Sequence, residues 1–186
     1  EDAYIGAIAI EKTGKPLPDQ TLNLCRNTDC ILFGAIGDPI YDNNPTAKVR
    51  PEQGLLKLRK ELGLYANIRP IKAYPHLMSS SPIKKEVLDG TDFVVYRELN
   101  GGLYFGKKTT NETETYASDL CEYNESEIAK ITHLAFKAAQ ARRKKVTLVD
   151  KANVLETSRL WRRVVAEIAT DYPDVELNFL YVDNAA

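Results

Sequence analysis

Three polar residues stand at the carboxyl ends of apolar runs that read as strands. Arg97 follows Phe93–Tyr96, Lys151 follows Val146–Val149, and Asp183 follows Val175–Val182. Where strands alternate with helices, ligands gather at the carboxyl ends of the strands. Each of the three taken singly reads equally as a solvated surface charge; the three together point to a site. Arg59 and Arg69 extend the set. A guanidinium grips a carboxylate through two parallel hydrogen bonds, so a group of arginines suits a polycarboxylate substrate. Against this, Arg59 also reads as the polar face of its own helix. Tyr104 and Lys151 are candidates for proton transfer. A lysine crowded by cations gives up its proton more readily, and a tyrosine beside a cation can relay one. Asp183 is a hard oxygen donor for a divalent cation, but one carboxylate is too few for a dedicated site.

Other signals carry less. Gly34-Ala-Ile-Gly37 is short of a dinucleotide fingerprint. His76 and His133 are far apart in sequence, and His133 falls on a helix, so neither suggests zinc. Asn111-Glu-Thr113 and Asn124-Glu-Ser126 match the glycosylation pattern, a short one that arises by chance. The basic run Arg142–Lys145 reads as a solvated helix end.

The elements that must position these residues alternate. A helix-like opening over Asp2–Ile10 leads to a turn at Gly14–Asp19 and a short amphipathic helix reaching Cys25. Cys30–Phe33 reads as a short buried strand, followed by a Gly-rich turn and a polar loop to Arg50. Pro51 suits the first turn of a helix whose Leu55, Leu56, Leu58 and Leu62 fit a 3.6-residue period, with Gly63 ending it. Tyr65–Tyr74 reads as extended and Asp92–Tyr96 as a buried strand. A Thr-rich excursion from Gly101 to Cys121 reads as a hairpin or arm. Asn124 and Glu127 make a capping box for a long helix with Ile128, Ile131, Leu134, Ala135 and Ala138 as its apolar stripe. Val146–Val149, a helix from about Glu156 to Thr170, and the strand Val175–Val182 complete an α/β pattern with a largely parallel sheet. Pro70, Pro75 and Pro82 with three serines suggest a lobe boundary near residues 70–85.

Composition bounds the class. The chain has 186 residues, enough for one domain or two small lobes with a sizeable core. With 25 basic and 26 acidic residues the net charge is −1, and no basic block is present, which argues against a nucleic-acid or membrane-surface protein. No apolar run approaches the length of a membrane span. Cys25, Cys30 and Cys121 are odd in number and lack metal-like spacing, which fits free thiols in a reducing, cytoplasmic compartment. The chain starts at Glu1 without a signal-peptide pattern and stops straight after a strand-like run, so both ends read as cut.

Six stretches in order carry a resemblance: Gly34-Ala-Ile-Gly-Asp-Pro39, Arg50-Pro-Glu-Gln-Gly-Leu-Leu-Lys-Leu-Arg59, Tyr65-Ala-Asn-Ile-Arg-Pro70, Arg97-Glu-Leu-Asn-Gly-Gly-Leu-Tyr-Phe-Gly106, Val149-Asp-Lys-Ala-Asn-Val-Leu155 and Tyr181-Val-Asp-Asn-Ala185. Over its entire length the chain resembles the isocitrate/isopropylmalate dehydrogenase family of metal-dependent, decarboxylating β-hydroxyacid dehydrogenases. The resemblance implies an NAD-dependent oxidative decarboxylation of a 2-hydroxy acid. Arg59, Arg69 and Arg97 would hold the malate carboxylates, with Tyr104 and Lys151 as the acid–base pair. Asp183 would be one of the aspartates holding Mg²⁺ or Mn²⁺, while Glu52 and Asn153 would lie near the nicotinamide. Leu55 and Leu56, with Val154, offer an apolar wall that favours 3-isopropylmalate over isocitrate, because an unpaired carboxylate is costly to bury there. That wall discriminates less well among alkylmalates. The alternatives are the same chemistry on isocitrate, homoisocitrate or tartrate, or a non-catalytic dimerising paralogue.

The resemblance also implies what is missing. The family's opening strand with its Gly-Asp-Gly-Ile-Gly-Pro turn is absent, as is the C-terminal half with further metal aspartates and the adenosine site. Residues 1–75 would be part of the first, NAD-side domain. Residues 76–186 would be most of the second, dimerisation domain, with an arm at about 107–123. A homodimer with shared active sites is expected: Lys151 and Asp183 would reach the partner's site, and Arg59, Arg69, Arg97 and Tyr104 would serve their own. A piece without the adenosine site and most of the metal site should be inactive alone. Asn100 stands where a Thr is common in the family, a change for which the sequence offers no reading.

Overall fold

A computed structural model describes all residues except Asn43, Pro45 and Thr46; that part of the expected polar loop lies outside the described residues. The chain divides into two compact units, Glu1–Leu64 and Tyr65–Ala186.

The first unit is helical: α1 (Ala7–Thr13), α2 (Asp19–Arg26), the short α3 (Pro39–Asp42) and α4 (Pro51–Glu61). Its core is Leu17, Leu22 and Leu58, joined by Ile5, Cys25 and Leu62. Pro51 occupies the first turn of α4, where a missing N–H costs nothing, and the Gln53 side chain accepts the Arg50 N–H at 3.1 Å. Gly54 lets α4 approach the Pro16 turn closely, since a Cβ there would lie 2.3 Å from the Pro16 carbonyl oxygen. The opening helix begins later than the apolar pattern suggests, at Ala7, after Gly6 at φ 71°. Cys30–Phe33 is no strand: Cys30 is exposed and Leu32 fully so. A strand needs a neighbour to take its N–H and C=O groups, and none of the described residues pairs with this run.

In the second unit β1 (Ala66–Lys72) pairs antiparallel with β2 (Asp92–Glu98); between them lie a 3₁₀ turn, Pro75–Ser80, and α5 (Lys85–Leu88). That pairing ties Tyr65–Lys72 to the residues after it. β3 (Lys108–Thr110) and β4 (Ala117–Asp119) form a small antiparallel hairpin within the Thr-rich arm. Helix α6 (Glu125–Gln140) starts at the expected capping box: Asn124 Oδ1 accepts the Glu127 N–H, and the Glu127 carboxylate accepts the Asn124 N–H, both at 3.0 Å. β5 (Lys145–Asp150), α7 (Glu156–Ala169) and β6 (Glu176–Tyr181) form a βαβ unit with parallel strands, and α8 (Val182–Ala185) closes the described chain.

The expectation of a largely parallel sheet needs correction. Among the described residues the strands form three separate pairs, and only β5–β6 is parallel. Parallel pairing follows a long helical crossover, which α7 supplies between β5 and β6. Between β1 and β2 the 3₁₀ turn and the one-turn α5 instead return the chain antiparallel. β2 is also not fully buried, since Phe93 is 48% and Val95 40% exposed. It borders an apolar groove of about 1210 Å³ whose other walls come from α6, β5 and α7. The core of this unit joins Ile128 and Phe136 of α6 to Val164 and Val165 of α7, with Tyr172 and Val175 beyond. His133 Nδ1 pairs with the Tyr172 hydroxyl at 3.0 Å. The three cysteines are free thiols, and no helix among the described residues is long and apolar enough to cross a membrane.

Candidate active site

The sequence-derived candidates fall into three groups. The first is a stripe on α4. Glu52, Leu55, Leu56 and Arg59 are spaced i, i+3, i+4, i+7, which places them on one helix face. Pro51, Gly54 and Leu58 take the buried face instead. Leu55, Leu56 and Arg59 are half-buried and Glu52 is exposed. An acid, two leucines and a guanidinium are thus presented together, away from the core of their own unit.

The second group lies on the β1–β2 ribbon. In the register, Asn67 is opposite Arg97 and Arg69 is opposite Val95. Opposed residues share a face, and so do residues two apart on one strand, so Arg69 and Arg97 are diagonal neighbours on one side. Arg69 Nε donates to Asn67 Oδ1 at 2.6 Å, which steers its guanidinium along this face. Beyond β2 the turn at Gly102, φ 75°, folds Tyr104 back so that the Arg97 guanidinium lies 5.2 Å from its ring centre. Gly106 permits the return of the arm, because a Cβ there would sit 1.8 Å from the Leu120 carbonyl oxygen. Glu98 accepts the Asn100 and Gly101 N–H groups at 2.6 and 2.8 Å, which pins the start of this turn. Arg97 and Tyr104 both line the apolar groove.

The third group crowns β5 and β6. Asp150 pairs in register with Tyr181, so Lys151 and Asp183 emerge just past the carboxyl ends of two parallel neighbours. The Lys151 ammonium donates to Asp183 Oδ2. The cation crowding expected around Lys151 is not what the structure shows; its neighbour is a carboxylate. That ammonium holds the Asp183 carboxyl below the usual carboxylate range. Asn153 and Val154 are exposed on the turn after Lys151, which closes through the Val154 and Leu155 N–H groups on the Lys151 carbonyl at 3.0 and 2.9 Å.

The Lys151–Asp183 pair has a direct consequence. A carboxyl with a lowered folded value contributes stability that is complete above the ordinary carboxylate range and is lost as pH falls through the lowered value. Carboxyl-carbon NMR of Asp183 should therefore show a midpoint below that of an exposed aspartate, and Lys151→Ala should return it to the ordinary position. An unchanged midpoint in that variant would mean the pair does not form in solution.

Tyr104 and Lys151 belong to different groups, the one against Arg97 and the other against Asp183. For a cation the donor chemistry fits in part. Asp183 is a hard oxygen donor, but among the described residues no three His, Cys, Asp or Glu side chains converge. Glu52 and Asn153 are both exposed. Sequence reasoning missed the side chains that fasten the Lys151 turn: Asp150, Ser158, Arg159 and Arg162. The signal available was weak, an aspartate directly before the lysine and a hydrogen-bonding side chain at each of three later α7 positions.

A family model described as isocitrate/isopropylmalate dehydrogenase matches residues 1–186. The 3-isopropylmalate dehydrogenase of Bacteroides fragilis (strain YCH46) is 50% identical over 186 residues, covering 100% of this chain and 52% of that protein. That of Aquifex aeolicus (strain VF5) is 53% identical over 188 residues, covering 100% of this chain and 51% of its own length. Among solved structures, the isocitrate dehydrogenase of Methylococcus capsulatus superposes with a TM-score of 0.73 at 32% identity, covering 97% of this chain and 51% of that one. The chain spans about half the length of the curated relatives it matches.

Proposed function

The chain belongs to the isocitrate/isopropylmalate dehydrogenase family, and we propose that it is the part of an NAD-dependent 3-isopropylmalate dehydrogenase that carries its arginines and its acid–base pair. The observation that supports this substrate is the identity of about half to curated relatives of that name along the whole chain. The leucine pair on α4 agrees with it, since Leu55 and Leu56 face away from their own core beside Arg59. The reaction would be 3-isopropylmalate plus NAD⁺ giving 4-methyl-2-oxopentanoate, carbon dioxide and NADH, a step of leucine biosynthesis.

Arg59, Arg69 and Arg97 bind the two carboxylates, and Leu55, Leu56 and Val154 receive the isopropyl group. With its Nζ deprotonated and released from Asp183, Lys151 takes the proton of the 2-hydroxyl as hydride leaves C2. Loss of carbon dioxide leaves the bond pair on C3 as an enolate, and the Tyr104 hydroxyl returns one proton to that carbon. One proton is taken and one given, so the sum is neutral. Glu52 and Asn153 would lie near NAD, which would supply the hydride acceptor, and Asp183 would help to hold Mg²⁺ or Mn²⁺, which would supply Lewis acidity at the substrate oxygen. A homodimer sharing its sites, in the cytoplasm, completes the reading; the exposed Val154, Leu155 and Val182 around Lys151 supply apolar surface for a partner.

The test is NADH formation with Mg²⁺ by the chain completed to the relatives' length. Turnover of 3-isopropylmalate with little or none of isocitrate is expected; the reverse order would make it an isocitrate enzyme, and turnover of neither would favour a non-catalytic paralogue. The 186-residue chain alone should give no NADH, because among its described residues no three His, Cys, Asp or Glu side chains converge to hold the cation.

A further inference from the structure

We propose that Asp150 and Arg162 are positioning residues for Lys151, a role that rests on the reading of Lys151 as the proton acceptor. The Asp150 side chain is 3% exposed, and Arg162 meets it with a fork: Nε donates to Oδ2 at 2.6 Å and Nη2 to Oδ1 at 3.1 Å. The same Oδ1 accepts the Ala152 N–H at 3.0 Å. One buried carboxylate thus ties α7 to the peptide that follows Lys151. The peptide that precedes it is tied as well, because the Lys151 N–H donates to Ser158 Oγ at 3.2 Å, again on α7. Both amides flanking the Lys151 α-carbon are thus fastened to one helix, one directly through Ser158 and the other through Asp150 and Arg162.

The clamp is anchored in turn. The Arg162 guanidinium lies 5.0 Å from the Phe179 ring centre and 4.8 Å from that of Tyr181, two residues apart on one face of β6. The plane of the fork is therefore set by the strand whose end carries Asp183. A lysine at 162 would keep the charge but lose both the fork and the planar stacking. The geometry places the reacting nitrogen by way of the backbone, while Asp150 and Arg162 stay off the substrate.

The test uses Arg162→Lys and Asp150→Asn, conservative in size, with two readouts. Amide hydrogen exchange on the 186-residue chain should show Lys151 and Ala152 exchanging about 10–100-fold faster, with Val146, Leu148 and Ile131 unchanged. In the chain completed to family length, kcat should fall by about 10–100-fold with KM for 3-isopropylmalate within about twofold, the signature of a misplaced group rather than lost binding. Unchanged exchange at the two amides overturns the proposal, and so does a uniform rise across β5 and α6, which would mark an ordinary structural pair. If the unsubstituted completed enzyme shows no turnover, the reading of Lys151 fails, and the exchange arm still decides whether the clamp exists.

Discussion

Lys151→Met in the chain completed to family length is expected to lower kcat by about 10²–10⁴-fold, the range that a positioned acid or base contributes. Methionine preserves the length and the apolar stem, so the β5–β6 frame should survive. What goes is the nitrogen past the end of β5 that is proposed to take a proton from the substrate hydroxyl. KM for 3-isopropylmalate should change little, because the carboxylates are assigned to Arg59, Arg69 and Arg97. Asp183 loses its ammonium partner in the same variant, which leaves its negative charge uncompensated. If anything, this frees the carboxylate for a cation, and weakened cation binding cannot then explain the loss. A fall of less than about tenfold would remove Lys151 from the role of base. Tyr104→Phe gives the complementary result: it leaves the ring under the Arg97 guanidinium but removes the proton donor, so 2-oxo acid formation should slow while the arginine contact persists.

How much of this was legible before the structure depends on the range of the interaction. The α4 stripe follows from period alone, because 52, 55, 56 and 59 lie within two turns of one helix. The start of α6 was equally plain, since Asn124 and Glu127 satisfy each other's backbone locally. The βαβ unit was legible because one amphipathic helix separates two apolar runs. Arg69 and Arg97 could be named as candidates, but their shared face exists only in the β1–β2 register, which joins residues some thirty apart in sequence. The same register overturns the parallel-sheet expectation. Cys30–Phe33 failed because an apolar run signals burial only when something is there to pair with it. Asp150–Arg162 left only a weak signal. Buried charge pairs have no periodicity, and an aspartate at a strand end looks the same whether it meets solvent or a guanidinium.

Phe136→Ala should be the most damaging single change in the second unit, at about 3–5 kcal/mol. Phe136 is fully buried in α6 and stacks on Tyr172 at 5.1 Å between ring centres. Removing the ring deletes its transfer free energy and leaves a cavity that neighbours close only in part. Phe136 also lines the groove wall between β2 and β5, so the loss is felt on both sides of α6. With a urea slope of about 1–3 kcal/mol per molar, the unfolding midpoint should drop by about 2 M. Val87→Ala is the control: Val87 is 68% exposed, and its loss should stay within about 0.5 kcal/mol. A Phe136→Ala cost below about 1 kcal/mol would mean the cavity collapses freely, and α6 would then not be the fixed floor on which β5 presents Lys151. A full cost would support the order of dependence argued here: the core sets α6 and α7, α7 sets the turn after β5, and the turn sets the lysine.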